Sequence, residues 1–312
     1  MTSRRRLEIL LDGGIPDVPP TWELVFQLEE EFFGMPSRHS VRNAVYGSDD
    51  QRREALWRYD FEIYERCVEE LGWAAIPGGY NPEELAFRKK AIGDRALVAG
   101  YDHDGIFYMP DGNTMMDFAL RLYEQPEEIL AEARRKCEKG KEVFRRHVDA
   151  GADFLVGTWD VGFNTQPFVS PAKFEEIVVP YLTELVDCAH ALGRKLIIHS
   201  DGCLTAILDH LHGTGIDGYQ SVDPQGGMDI RQVRAAYPDW LLMGNVECAM
   251  LQDTNEAKIR ESVQYCMRHG GIGTPYIFST SNCIFKGMPV ESYRVMLDEY
   301  HRQCAAAQSA AI

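Results

Sequence analysis

A chain of 312 residues, 45% hydrophobic and 26% charged, carries enough apolar material for one large α/β domain or two ordinary ones. Its formal charge of −16 argues against a nucleic-acid partner, because phosphates need a basic face, and against adsorption to an anionic membrane. No apolar run is long enough to span a bilayer, and the arginines at Arg4–Arg6 have no apolar core behind them, so a cytoplasmic protein is expected. The eight cysteines follow no framework spacing and form no C-x-x-C pair, which suits reduced thiols.

Residues Arg4 to Leu11 predict a short helix, closed by Asp12-Gly13-Gly14. With the prolines that follow, residues 1–20 form a helical lead-in to a single domain over 1–312. Thr21 to Phe26 is the candidate first strand, which places Glu23 near a strand end. An amphipathic helix is expected from Asp49 to Leu71, then strands at Trp73–Gly79 and Ala96–Gly100. Asp102-His103-Asp104-Gly105 reads as a solvated turn. A charged helix follows from Gln125 to Asp149.

The second half alternates strand and helix with short connections. Strands are predicted at Asp153–Asp160, Leu196–His199, Asp217–Val222, Trp240–Val246 and Tyr276–Thr280. The helix before the second of these has Ser170 as N-cap and Pro171 at its first position. This alternation means parallel strands with crossover helices. No Gly-x-Gly-x-x-Gly follows a strand and no P-loop is present, so a (β/α)8 TIM barrel is preferred over an open doubly wound sheet.

A barrel gathers the C-terminal ends of its strands around one mouth. Those ends carry Trp159, Asp160, His199, Asp201, Asp223, Asn245, Glu247 and Cys283. His199 and Asp201 alternate across Ser200, so in extended conformation both leave on one side. A histidine, a carboxylate and a cysteine make the donor set of a catalytic zinc site, and a thiolate disfavours Mg²⁺ and Ca²⁺. Of the cysteines, only Cys203, Cys248 and Cys283 lie near strand ends.

The motifs Gly151-Ala-Asp, Ser170-Pro171-x-x-Phe174, Pro180-Tyr181, His199-x-Asp201-Gly202, Gly244-Asn245-Val246-Glu247 and Ser279-Thr-Ser-Asn-Cys283 resemble those of the uroporphyrinogen decarboxylase superfamily. They are most similar to its cobamide-dependent methyltransferase branch. The resemblance is clear from about Gly151 to His301 and fainter before it.

It implies a (β/α)8 barrel and zinc held by His199, Asp201 and Cys283. Asp201 stands where that branch has Cys, and Cys203 is the alternative middle ligand. It further implies methyl transfer with a corrinoid, which arrives free or on a partner corrinoid protein. Asp160, Asn245 and Glu247 would then be catalytic, and Glu23, Asp223 and Trp159 would line the small-molecule site. A carboxylate in place of a thiolate favours an O-methyl donor. The alternatives are methylation of a thiol from a methylcobamide, a decarboxylase, or a non-catalytic zinc-stabilised binding protein. The decarboxylase is disfavoured because the Arg-rich segment and aspartate loop of true decarboxylases have no match here.

Overall fold

The computed structural model describes residues 1–310, so residues 311–312 of the span assigned to one domain lie outside it. Seven parallel strands pair in sequence order: β1 (Ala75–Pro77), β2 (Leu97–Asp102), β3 (Phe154–Thr158), β4 (Leu196–His199), β5 (Gly218–Ser221), β6 (Leu241–Val246) and β7 (Tyr276–Thr280). Helices cross over between them, as parallel pairing requires. All seven strands are almost wholly buried, the pattern of a sheet covered on both faces. The arrangement is a curled, TIM-barrel-like sheet.

The expected first strand, Thr21–Phe26, is not a strand. Thr21 alone bridges to Trp73 on one side and to Phe278 of β7 on the other, and Phe26 bridges to Ile284. Pro19 and Pro20 have no N–H to give a ladder, and Pro20 contributes only its carbonyl, which accepts from Phe278 N at 2.9 Å. Further along, the amide of Thr280 finds no backbone carbonyl and donates instead to the Glu23 carboxylate at 3.0 and 3.1 Å. A buried side chain thus does what a neighbouring strand would have done.

The helix Asp49–Leu71 is observed as expected, N-capped by Ser48 and ended by left-handed Gly72. The Ser170 cap is also present, its side chain accepting from Lys173 N. Three of the crossover helices are subdivided. The one opened by Pro171 breaks at Val178, ahead of Pro180, into Pro171–Ile177 and Val179–Ala191. Leu204–His212 is a 3₁₀ turn followed by Leu208–Gly213, and the helix from Glu256 passes into a π-turn at Met267–Gly271. No helix among the described residues is long and apolar enough to cross a membrane.

Gly202 closes the turn after β4 at φ +85°, where a Cβ would sit 2.5 Å from Gly162 O and 2.6 Å from Phe163 O. Only glycine fits both the dihedral and the space. Gly202→Ala should therefore cost about 1–3 kcal/mol or more. Urea unfolding of the two proteins checks this, with the variant's midpoint expected to fall clearly below that of the wild type.

Candidate metal centre

β4 ends in His199, and its register against β5 pairs His199 with Gln220. Gln220 is fully buried, and its Nε2 donates to the carbonyls of Thr280 and Asn282, each at 3.3 Å. Those bonds turn Oε1 toward the imidazole, where it contacts His199 Nδ1. An amide oxygen can only accept, so Nδ1 carries the proton and Nε2 keeps its lone pair.

That Nε2 faces two carboxylates, Asp160 Oδ1 at 3.6 Å and Asp201 Oδ2 at 4.0 Å. Asp160, His199 and Asp201 each bring one ligand atom within 4.8 Å of the others. Asp160 stays in place because its Oδ1 accepts from Asp201 N at 3.0 Å. Asp201 is gripped at both oxygens, by Ser221 Oγ at 2.8 Å and by Asn282 Nδ2. Burial raises the Asp201 pKa; His199 and Ser221 oppose the rise, and the charges of Asp160 and Asp223 add to it.

Two carboxylates and an imidazole lone pair converge here, and no lysine or arginine lies within 4.0 Å of either carboxylate among the described residues. Such a donor set fits a divalent cation. Gln220 supplies the hydrogen bond that typically fixes a metal-binding histidine.

Cys283 stands outside this set, since among the described residues no group of three containing it meets the 4.8 Å limit. It lines a neighbouring cavity of about 390 Å³ together with Asp201, Cys248 and Asn282. Burial, with the charges of Cys248, Glu23 and Asp201, pushes the Cys283 thiol up to about 12. Cys203 also lies outside, turned away beyond Gly202, with its sulfur 3.8 Å from Thr205 Oγ1.

The other expected site residues have structural employment. Trp159 is 1% exposed and donates to Asp102 Oδ2 at 3.0 Å, so it does not line a substrate site. Asp223 spends both oxygens on backbone amides, Gly202 N at 3.0 Å and Gln225 N at 2.9 Å. Asn245 was expected at the mouth; instead it lies on the helix-facing side of the sheet, donating to Val222 O and accepting from Cys266 Sγ. Glu247 shares with Asn245 a separate cavity of about 280 Å³, away from the carboxylate pair. The Asp102-His103-Asp104 segment is a solvated turn only in part: Asp102 is the buried last residue of β2 and accepts from Asp104 N and Gly105 N, whereas Asp104 beyond it pairs with Lys136 and Lys139.

Gln220, Ser221 and Asn282 escaped the sequence reading. Their signal was present, because Gln220 and Ser221 are polar residues inside a short, buried parallel strand, and a buried polar group needs a partner.

Glu23 is fully buried, and desolvation outweighs its bonds to Thr280, raising its pKa from 4.5 to about 8. The folded state therefore binds the proton more tightly than the unfolded chain does. Stability from this group is complete below pH 4.5 and is lost as pH rises through about 8. At about 1.4 kcal/mol per unit, the loss across that window amounts to several kcal/mol. Glu23→Gln should flatten this decline, measured as unfolding free energy at pH 5 and at pH 8.5.

A family model described as uroporphyrinogen decarboxylase (URO-D) matches residues 106–303, more than half of the chain. No curated protein matches by sequence. Among solved structures, the chain is similar to a methyltransferase from Methanosarcina mazei at 14% identity and a TM-score of 0.71, covering 97% of this chain and 99% of that one. It is also similar to a protein described as a vitamin-B12-independent methionine synthase from Listeria monocytogenes, at 14% identity and a TM-score of 0.55, covering 85% and 89%. At these identities the likeness to solved structures speaks for the fold.

Proposed function

The chain belongs to the uroporphyrinogen decarboxylase family, and we propose that it is a zinc-dependent methyltransferase that moves a methyl group from an oxygen-linked donor to a corrinoid. The observation that carries this reading is the trio Asp160, His199 and Asp201 at the ends of β3 and β4. Asp160, His199 and Asp201 would hold the zinc. When bound, zinc supplies Lewis acidity that polarises a substrate oxygen.

The chain's own residues prepare that site. Gln220 keeps His199 in the tautomer that offers Nε2. Ser221 and Asn282 keep the Asp201 carboxylate from rotating. Two hard carboxylate donors favour binding of oxygen over sulfur, which supports an ether donor over a thiol acceptor. The corrinoid is proposed to come free or on a separate corrinoid protein.

A decarboxylase acting on a polyacidic substrate fits less well. Asp160 and Asp201 would repel such a substrate at the mouth. The early arginines are committed elsewhere, Arg4 to Glu8 and Asp94, and Arg6 to Asp17.

The test is spectroscopic. Co(I) corrinoid is mixed with the protein and a methyl ether, and conversion to methyl-Co(III) is followed by absorbance. Conversion is expected for the wild type and is expected to be lost in His199→Ala. Asp201→Cys should lower ether demethylation and raise thiol methylation from methylcobalamin. If the wild type is the better thiol methylase, the argument from ligand hardness fails. Gln220→Leu, which leaves the imidazole tautomer free, should weaken zinc binding about 10–100-fold in a chelator competition.

A further inference from the structure

The segment Gly244-Asn245-Val246-Glu247 carries two polar side chains that the metal centre does not use. Both line the cavity of about 280 Å³ on the helix-facing side of β6, together with residues of the helices Cys248–Asp253 and Glu256–Cys266. That volume is near the lower end for small-molecule sites, so a guest must be small. The cavity shares no residue with the one beside the metal centre. Helix Cys248–Asp253 stands between the two: Met250 lines this cavity, whereas Cys248, Ala249 and Gln252 line the one that Asp201 borders.

Much of the wall is apolar. Met228 and Ile230 are buried, and Pro224 and Met250 add to them. Tyr265 brings an aromatic ring, fixed by its hydroxyl, which donates to Asp229 Oδ1 at 2.8 Å. The deeper polar groups satisfy one another. Cys266 Sγ donates to Asn245 Oδ1 at 3.2 Å, and Asn245 Nδ2 donates to Val222 O at 2.8 Å. Burial pushes the Cys266 thiol up to about 12, so it is neutral.

Charge on the lining is one-sided. Asp229, Glu247 and Glu261 are acidic, and Lys258 is the one base. Lys258 is engaged by Asp253 at 2.9 Å, and Asp229 accepts from Arg231 N as well as from Tyr265. Arg260, next to Glu261, is turned to Glu256, Asp298 and Glu299, so among the described residues Glu247 and Glu261 have no cationic partner. Nor do they form a metal site, since among the described residues they join no group of three ligand atoms within 4.8 Å. An apolar hole with two free carboxylates is complementary to a cation that carries its own apolar body.

We propose that this cavity binds a primary alkylammonium, its chain among Met228, Ile230 and Met250 and its charge on Glu247 and Glu261. The inference concerns a second site and is independent of the methyl-transfer reading.

Isothermal titration of the full-length protein at pH 7 with hexylammonium, butylammonium and 1-hexanol tests it; an alkylamine is a cation at that pH. Hexylammonium is expected to bind the wild type, and butylammonium, two methylenes shorter, to bind about 16-fold more weakly. Glu247→Gln/Glu261→Gln should lower hexylammonium affinity tenfold or more and leave 1-hexanol affinity unchanged. Met250→Trp, which fills the cavity, should abolish binding of both, and circular dichroism checks that the variants are folded. Absence of hexylammonium binding to the wild type, equal affinity in the double variant, or retained binding in folded Met250→Trp overturns the proposal. Equal affinity of the wild type for butylammonium and hexylammonium also overturns it, because attraction to the acidic surface alone would then account for binding.

Discussion

Asp160 and Asp201 are held within reach of one imidazole nitrogen with no fixed cation among the described residues to separate them. Burial and the neighbouring negative charge raise the cost of ionising Asp201, and a protein relieves such a cost by protonation or by binding a cation. Much of the surrounding structure serves to keep the repulsion in place. Asp201 N donates to Asp160, Ser221 and Asn282 bond both oxygens of Asp201, and Gln220 keeps the His199 lone pair turned toward them. A scaffold that spends so many bonds holding an acidic pair together is organised for a guest of positive charge.

The same end of the sheet divides its labour by side of the strand. Residues aimed inward from β4 and β5 build the carboxylate site, whereas Asn245 of β6 serves the layer between sheet and helix. Glu23 occupies the place left by a missing strand and bonds Thr280 in the interior. Its raised pKa marks it as a neutral acid near neutrality, so it adds little negative charge beneath the metal centre. Cys283, pushed up to about 12 by burial and surrounding negative charge, is likewise neutral in the absence of a bound cation.

Much of this architecture was legible in the sequence. Leu196–His199 and Tyr276–Thr280 are strands over the residues their apolar runs mark, and Ser170-Pro171 opens a helix as cap chemistry requires. Thr21–Phe26 misled because periodicity does not reveal that this segment pairs only in isolated bridges, at Thr21 and at Phe26. The site was read by position at strand ends, which drew attention to Asp160, His199 and Asp201, three residues whose ligand atoms the structure brings within 4.8 Å of one another. Position alone cannot say which way a side chain turns, so Asn245 and Trp159 were assigned to a mouth from which their hydrogen bonds turn them, whereas Asp223, although bonded to two backbone amides, lines the cavity beside Asp201 and Cys283. Gln220 and Asn282 were missed because amide side chains at strand ends look unremarkable until register sets one beside His199 and the other beside Asp201.

The account stands on the trio being a metal centre with Asp160 as a donor and Cys283 outside it. Elemental analysis of purified wild type, Asp160→Asn and Cys283→Ser, grown with zinc and dialysed alike, tests that claim most directly. About one zinc per chain in the wild type and in Cys283→Ser, with loss in Asp160→Asn, is the predicted result. A zinc-free wild type, or zinc retained in Asp160→Asn and lost in Cys283→Ser, would contradict it.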